Sequence, residues 1–166
     1  MIERSTIYAM IPVMTRWLDA DEQRAWRAFL SATRDLMDTL DRELQHDAGM
    51  PHAYYEILVR LSEAPDHTLR MSELADACGS SRSRLSHAVT RLEANGWVRR
   101  ENVPTDRRGQ LAVLTDEGYA TLAAAAPGHV EGVRRHLFDP LTSAQVEALR
   151  EISEAVLAGL DRDRAR

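Results

Sequence analysis

Two short amphipathic runs separated by one glycine, followed at once by two alternating runs, constrain this chain more than any other feature. Residues 72–78 (SELADAC) place Leu74 and Ala75 on one side of a short helix, and Gly79 is its natural stop. Ser80 or Ser81 then caps a second helix whose buried face is Leu85, Ala88, Val89 and Leu92, closed by Asn95 and Gly96. Two helices joined by a glycine-containing turn make a helix-turn-helix. Residues 97–102 (WVRREN) and 110–115 (QLAVLT) alternate with the period of strands, and VPTDRRG joins them. Pro104, Asp106 and Gly109 are turn residues, so the segment predicts a β-hairpin with a loop longer than two residues.

The flanks read as helices. From Asp19 to Asp47, apolar residues fall at Trp26, Phe29, Leu30, Met37, Leu40 and Leu44, close to the 3.6 period, until Gly49 and Pro51. Pro51 suits the first turn of a second helix striped by Tyr54, Ile57, Leu58 and Leu61, which stops before Pro65. Thr115 and Asp116 cap a helix carrying Tyr119 and Leu122, with a kink or break expected at Pro127-Gly128. Thr142 and Gln145 form a capping-box pattern ahead of Val146, Leu149, Ile152, Val156 and Leu160. The fold class is therefore mainly α with a small β-hairpin wing, a winged helix-turn-helix flanked by extra helices.

Charge shows which face meets a partner. The chain carries −5 overall, yet between Ser80 and Gln110 seven arginines (Arg82, Arg84, Arg91, Arg99, Arg100, Arg107, Arg108) stand against three acids (Glu93, Glu101, Asp106). That segment is +4 and the remainder −9, the footprint of a protein that meets a polyanion with one face; a solvated charged surface is the other reading. On the capped helix, the face opposite the apolar stripe presents Arg82, Ser83, Arg84, Ser86, His87, Thr90 and Arg91. Side chains near the start of a recognition helix reach base edges, which assigns Arg82, Ser83, Arg84 and His87 to bases and Ser81, Ser86, Thr90 and Arg91 to phosphates. The alternative for any one arginine is a surface ion pair, such as Arg91 with Glu93 or Glu101. At the wing, Arg107 and Arg108 suit phosphates or a narrow minor groove, Asp106 suits holding an arginine by a charge-assisted hydrogen bond, and Gly109 lets the tip turn.

The stretch RSRLSHAVTRLEANGWVRRENVPTDRRGQLAVLTDEG resembles the MarR family of bacterial winged helix-turn-helix transcription factors, whose wing signature is Asp-x-Arg, alternating apolar residues, then Leu-Thr-x-x-Gly. Here those positions are Asp106, Arg108, Leu114, Thr115 and Gly118, and the helix order matches over roughly residues 20 to 160. The resemblance implies a homodimer with residues 1–50 and 119–166 as dimerisation segments, a DNA-binding lobe at 51–118 and a palindromic double-stranded operator. It also implies a small-molecule effector pocket where dimerisation helices meet the DNA-binding lobe. Trp17, Trp26, His52, Tyr54 and Tyr55 are candidates to line such a pocket, with core or dimer packing as the alternative.

Other classes find less support. There is no phosphate-cradling glycine loop, HExxH, G-x-S-x-G or Cys/His nucleophile arrangement, so no enzyme and no cofactor is expected. His129 and His136 lie seven residues apart, about 10.5 Å along a helix, too far to share one metal ion directly, which leaves an inter-element site using His46, His52 or His67 as the alternative. Cys78, the lone cysteine, suits a reducing compartment and simple burial better than a redox switch; peroxide-sensing members of the family carry their cysteine in the first helix, where this chain has none. No run approaches a membrane span and the acids near the start disfavour a signal peptide, so a cytoplasmic location is expected. Residues 7–14 are apolar enough to pack on a partner subunit, with an irregular arm as the alternative. The expected function is a homodimeric, sequence-specific DNA-binding transcriptional regulator; the alternative is a winged-helix protein-interaction module, which has no use for an arginine-rich recognition face.

Overall fold

The computed structural model describes residues 15–103 and 106–164, with backbone alone at 106–108, 163 and 164. The apolar segment 7–14 and the turn residue Pro104 lie outside the described residues. The chain divides into two compact units, with Asp35 ending the first and Leu36 beginning the second.

In the first unit, helix α1 (Ala20–Ala48) begins on a reciprocal capping box. The Asp19 carboxylate accepts from the backbone N–H groups of Asp21 and Glu22, both at 2.8 Å, and Glu22 accepts from the Asp19 N–H at 2.9 Å. Trp26 and Phe29 stack with ring centroids 6.4 Å apart, yet they stay 51% and 56% exposed.

In the second unit, Leu40 and Leu44 of α1 are buried. Helix α2 (His52–Glu63) follows Pro51, which occupies the capping position just before the helix and supplies no side-chain acceptor. Asp41 of α1 takes that role, accepting from the His52 N–H at 2.7 Å. The buried stripe of α2 is Tyr55, Ile57, Leu58 and Leu61, so Tyr55 stands where Tyr54 was expected. Leu58 is fully buried, Tyr55 is 8% exposed, and Tyr54 on the same side of the helix is half-buried, packed against the edge of the core.

A single 3-10 turn (Pro65–His67) leads into β1 (Thr68–Arg70), a strand too short to alternate visibly in sequence. It pairs antiparallel with β3 (Asp106–Leu114), which pairs in turn with β2 (Val98–Val103), giving the order β1-β3-β2. The wing is therefore anchored as a three-stranded sheet rather than a lone hairpin. The β2–β3 register runs from Val98↔Leu114 to Asn102↔Gln110 and then jumps to Val103↔Asp106, leaving Arg107, Arg108 and Gly109 as a bulge on β3.

Helices α3 (Met71–Ala77) and α4 (Arg82–Ala94) form the helix-turn-helix, with Gly79 at φ +55° in the left-handed turn between them. Leu74 and Ala75 of α3 and Leu85, Val89 and Leu92 of α4 join Leu58 and Leu61 of α2, and Val98, Ala112 and Leu114 of the sheet, in one buried cluster. Helix α5 (Asp116–Val133) starts at Thr115 and passes through Pro127 without a break, contrary to the expectation. Pro127 and the helix face around it are exposed, so the carbonyl that loses its partner can meet water. The irregularity comes later, as a π-helical turn at Arg134–Phe138. Helix α6 (Ser143–Arg164) begins on the expected box: the Thr142 N–H donates to Gln145 Oε1 at 2.9 Å and the Gln145 N–H to Thr142 Oγ1 at 3.3 Å. Ile152 and Leu160 of α6 remain 60% and 51% exposed. No helix among the described residues is long and apolar enough to cross a membrane.

The Thr-x-x-Gly end of the wing is a close junction. Thr115 Oγ1 donates to the Gly96 carbonyl at 2.7 Å and accepts from the Gly118 N–H at 3.0 Å, while the Thr115 N–H reaches the Trp97 carbonyl at 3.1 Å. A Cβ on Gly118 would overlap that Trp97 carbonyl oxygen, whereas one on Gly128 would meet open space. Gly118→Ala is therefore expected to lower unfolding free energy by about 1–3 kcal/mol, and Gly128→Ala to be neutral or raise it by up to about 1 kcal/mol. Urea denaturation of the two variants checks the contrast; equal effects would show that the Gly118 contact relaxes without strain.

Candidate nucleic-acid interface

Helix α4 is placed by its buried face and its cap. Ser81 Oγ accepts from the Arg84 N–H at 3.3 Å, opening the helix at the end expected to approach base edges. With Leu85, Val89 and Leu92 turned inward, Arg82, Ser83, Arg84, Ser86, His87, Thr90 and Arg91 are all exposed on the remaining surface. Ala88, expected inside, is only half-buried at the edge of that face.

The acids named as alternative partners for Arg91 are occupied elsewhere. Glu93 binds Arg100 Nη1 at 2.5 Å and Glu101 binds Arg99 at 2.8 Å. Among the described residues, Arg82, Arg84 and Arg91 form no ion pair, so three cations of this face keep their donors for an external anion. The hydroxyls differ. Thr90 Oγ1 donates to the Ser86 carbonyl at 2.9 Å and accepts from Arg100 Nη2 at 3.1 Å, so its proton is committed within the helix. Ser86 Oγ is approached by Arg100 Nη2 at 3.4 Å as an acceptor and retains its own proton for donation.

Arg100 was counted in the sequence only as part of the +4 segment. The signal that finds it is the period-two alternation of β2: with Val98 buried, Arg100 lies on the same inward side while Arg99 points out. At the wing, the backbone places Asp106 at the start of β3, paired with Val103, and Arg107, Arg108 and Gly109 in the bulge that follows. The side chains of Asp106, Arg107 and Arg108 lie outside the described residues.

A second group of residues lies away from α4. The Tyr55 and His129 rings are 4.5 Å apart and His52 and His129 are 5.3 Å apart, beside an open cavity of about 300 Å³ lined by Leu40, Glu43, Thr121, Ala125 and His129. Burial lowers the basicity of His129, with His52 adding repulsion and Glu43 opposing, and its Nδ1 has no hydrogen-bond partner among the described residues. Glu43 bonds His136 Nε2 at 2.8 Å and Arg135 Nη2 at 2.9 Å; chiefly the His136 bond holds its carboxyl below the usual range. Of the residues named as pocket candidates, His52 and Tyr55 are brought together here, while Trp17 and Trp26 belong to the first unit and are exposed. Tyr54 instead lines a groove along α4 with Arg84, His87 and Arg91. Among the described residues no three His, Cys, Asp or Glu side chains converge to hold a metal ion.

Comparison with known proteins converges on one family. The pattern of the MarR family matches residues 48–109. The solved structure of Sco3205, a MarR family transcriptional regulator from Streptomyces coelicolor in complex with DNA, is 57% identical with a TM-score of 0.84, covering 88% of this chain and 92% of that one. AbsC, a MarR family regulator of the same organism, is 45% identical with a TM-score of 0.82, covering 92% of this chain and all of that one (100%). The transcriptional repressor MprA of Escherichia coli (strain K12) is 28% identical over 113 residues, 68% of this chain, and the chain spans 64% of the length of MprA.

Cys78 is half-buried where α3 ends. Burial, with the Glu56 carboxylate adding to it, pushes the thiol up to about 11, so the nucleophilic thiolate is scarce at neutral pH. Alkylation by iodoacetamide at pH 7.5 is expected to be at least about tenfold slower in the native protein than in urea, where the thiol returns to its ordinary value. Equal rates would remove burial as the controlling influence.

Proposed function

The chain belongs to the MarR family of transcriptional regulators, and from that premise we propose that it acts as a cytoplasmic homodimer on a palindromic DNA operator, each subunit laying residues 81–91 in the major groove. The observation that carries this reading is the exposed face of α4, where Arg82, Arg84 and Arg91 lack ion-pair partners among the described residues of an otherwise acidic chain. That Sco3205, at 57% identity, crystallised with DNA supports it.

Within the reading, Arg82, Ser83, Arg84 and His87 face base edges and Ser81, Ser86, Thr90 and Arg91 face phosphates. A phosphate contact from Thr90 requires its hydroxyl to leave the Ser86 carbonyl, so Thr90 is the weaker of the two hydroxyl donors. The bulge carries Arg107 and Arg108 to the backbone or minor groove beside the helix, with Asp106 orienting an arginine and Gly109 shaping the turn. Residues 1–50 and 119–166 supply the dimer interface: Trp26, Phe29 and Leu30 of α1, and Ile152, Val156, Leu157 and Leu160 of α6, are large apolar side chains left exposed in the single chain. A two-fold dimer presents two α4 helices about 34–36 Å apart, one turn of DNA. A small molecule entering beside Tyr55 and His129 would release DNA only to the extent that it binds better to a dimer with the wrong helix separation.

Selection from a random duplex library at a stated near-physiological salt concentration tests the function directly, and an enriched inverted repeat is the expected result. On that repeat, Arg108→Ala should weaken binding to all sequences and lower the slope of log K against log salt by about 1. Arg82→Ala or Arg84→Ala should in addition relax preference at particular bases, by about 1–3 kcal/mol each. No enrichment from folded, dimeric protein would favour a winged helix that serves a protein partner. Separately, Ile152→Glu combined with Leu160→Glu is expected to shift the protein to monomer in sedimentation equilibrium, because it puts charges at the core of an apolar interface. A dimer that survives would move the interface elsewhere.

A further inference from the structure

The most heavily bonded polar side chain near α4 belongs to the wing. Arg100 of β2 is 19% exposed and its partner Glu93 is 29% exposed, so the pair is largely withdrawn from water. Its Nη1 donates to Glu93 Oε2 at 2.5 Å while its backbone N–H donates to Glu93 Oε1 at 3.0 Å, so one carboxylate grips both side chain and strand. Its Nη2 reaches across to the middle of α4, donating to the Ser86 carbonyl at 2.7 Å and to Thr90 Oγ1 at 3.1 Å, with Ser86 Oγ at 3.4 Å. Ser86 and Thr90 lie between Arg82 and Arg84 at the start of α4 and Arg91 near its end. The planar fork of a guanidinium fixes distance and angle together, which an ammonium or a single hydrogen bond does not.

We propose that Arg100 is a positioning residue for DNA reading: it touches no DNA, and by bridging Glu93, Ser86 and Thr90 it fixes the wing relative to α4 so that both engage one half-site together. The inference rests on the DNA-binding reading. Without this bridge the wing stays in the sheet through β3, but its angle to α4 is left to the turn at Gly96 and Trp97, which lies at the far end of α4, and to apolar contacts around Val98 and Ala112, which are less directional. Non-specific binding, which depends on phosphate-facing cations alone, does not need that registration; cognate binding, which needs helix and wing at once, does.

The test measures affinity for the selected operator and for a scrambled duplex, each across a salt series, with full-length wild type, Arg100→Gln, Arg100→Lys, Glu93→Gln and the Glu93→Gln/Arg100→Gln double variant. Arg100→Gln is expected to weaken cognate binding about tenfold, to change scrambled binding by less than about twofold, and to leave the salt slope unaltered. Arg100→Lys, which keeps the charge but not the fork, should fall between. Glu93→Gln gives the sharpest reading: removing a negative charge near DNA would by itself tighten binding, whereas release of Arg100 weakens the cognate complex. The double variant should be no weaker than Arg100→Gln alone, because both changes break one network. Circular dichroism confirms folding of each variant, and if Arg100→Gln fails to fold, Glu93→Gln and Arg100→Lys carry the comparison. A salt slope lowered by about 1 together with equal losses on both duplexes would make Arg100 a phosphate contact and overturn the proposal, as would tighter binding by Glu93→Gln. Absence of any operator for the wild type would sink the DNA-binding reading itself, an outcome separable from wild-type binding that Arg100→Gln leaves intact.

Discussion

Burial of one side of α4 is the constraint on which the rest depends. Leu85, Val89 and Leu92 are at most 1% exposed and pack with Leu58, Leu61 and Leu74, each large side chain contributing about 1.5–3 kcal/mol relative to exposure. A helix has a fixed angular period, so once those positions are inside, Arg82, Arg84, His87 and Arg91 have nowhere to go but out. The basic face is the complement of the core, and no separate interaction is needed to present it. The same cluster takes in Val98, Ala112 and Leu114, so the wing sheet and α4 are built on one apolar floor.

On that floor the polar contacts refine geometry. Thr115 and Gly118 lock the start of α5 to the turn that follows α4, through bonds to Gly96 and Trp97 that leave no room for a Cβ at Gly118. Arg100 and Glu93 tie β2 to the outer surface of α4. The nominal charge of the basic segment is consequently not all available to a partner. Arg99 and Arg100 are neutralised by Glu101 and Glu93, and what faces outward from α4 is the set Arg82, Arg84 and Arg91, which has no ion-pair partner among the described residues. The Asp41 carboxylate performs a similar service at the other junction, capping α2 where Pro51 cannot.

The elements that leave large apolar side chains exposed are also the ones that contribute least to this core. Trp26, Phe29 and Leu30 of α1, and Ile152, Val156, Leu157 and Leu160 of α6, keep a helical apolar period and stay exposed among the described residues. Such faces are expected of protein that completes its burial by association.

The sequence by itself determined the order of the main helices and the hairpin, the positions Leu85, Val89 and Leu92 of the inward face of α4, a serine cap at Ser80 or Ser81, the caps at Thr115 and Thr142, and the exposure of the α4 arginines, because each follows from local period or from a side chain reaching its own backbone. It also held the family signature at Asp106, Arg108, Leu114, Thr115 and Gly118. Tertiary structure decided what depends on residues distant along the chain. The strand β1 exists because β3 lies beside Thr68–Arg70, not because three residues alternate. Tyr55 is buried more deeply than Tyr54 because folding brings His129 of α5 against it, and α5 continues through Pro127 because the affected face meets water. For Arg100, alternation along β2 indicates the inward side, but which groups its guanidinium bridges is set by what folding places within a few ångströms of it.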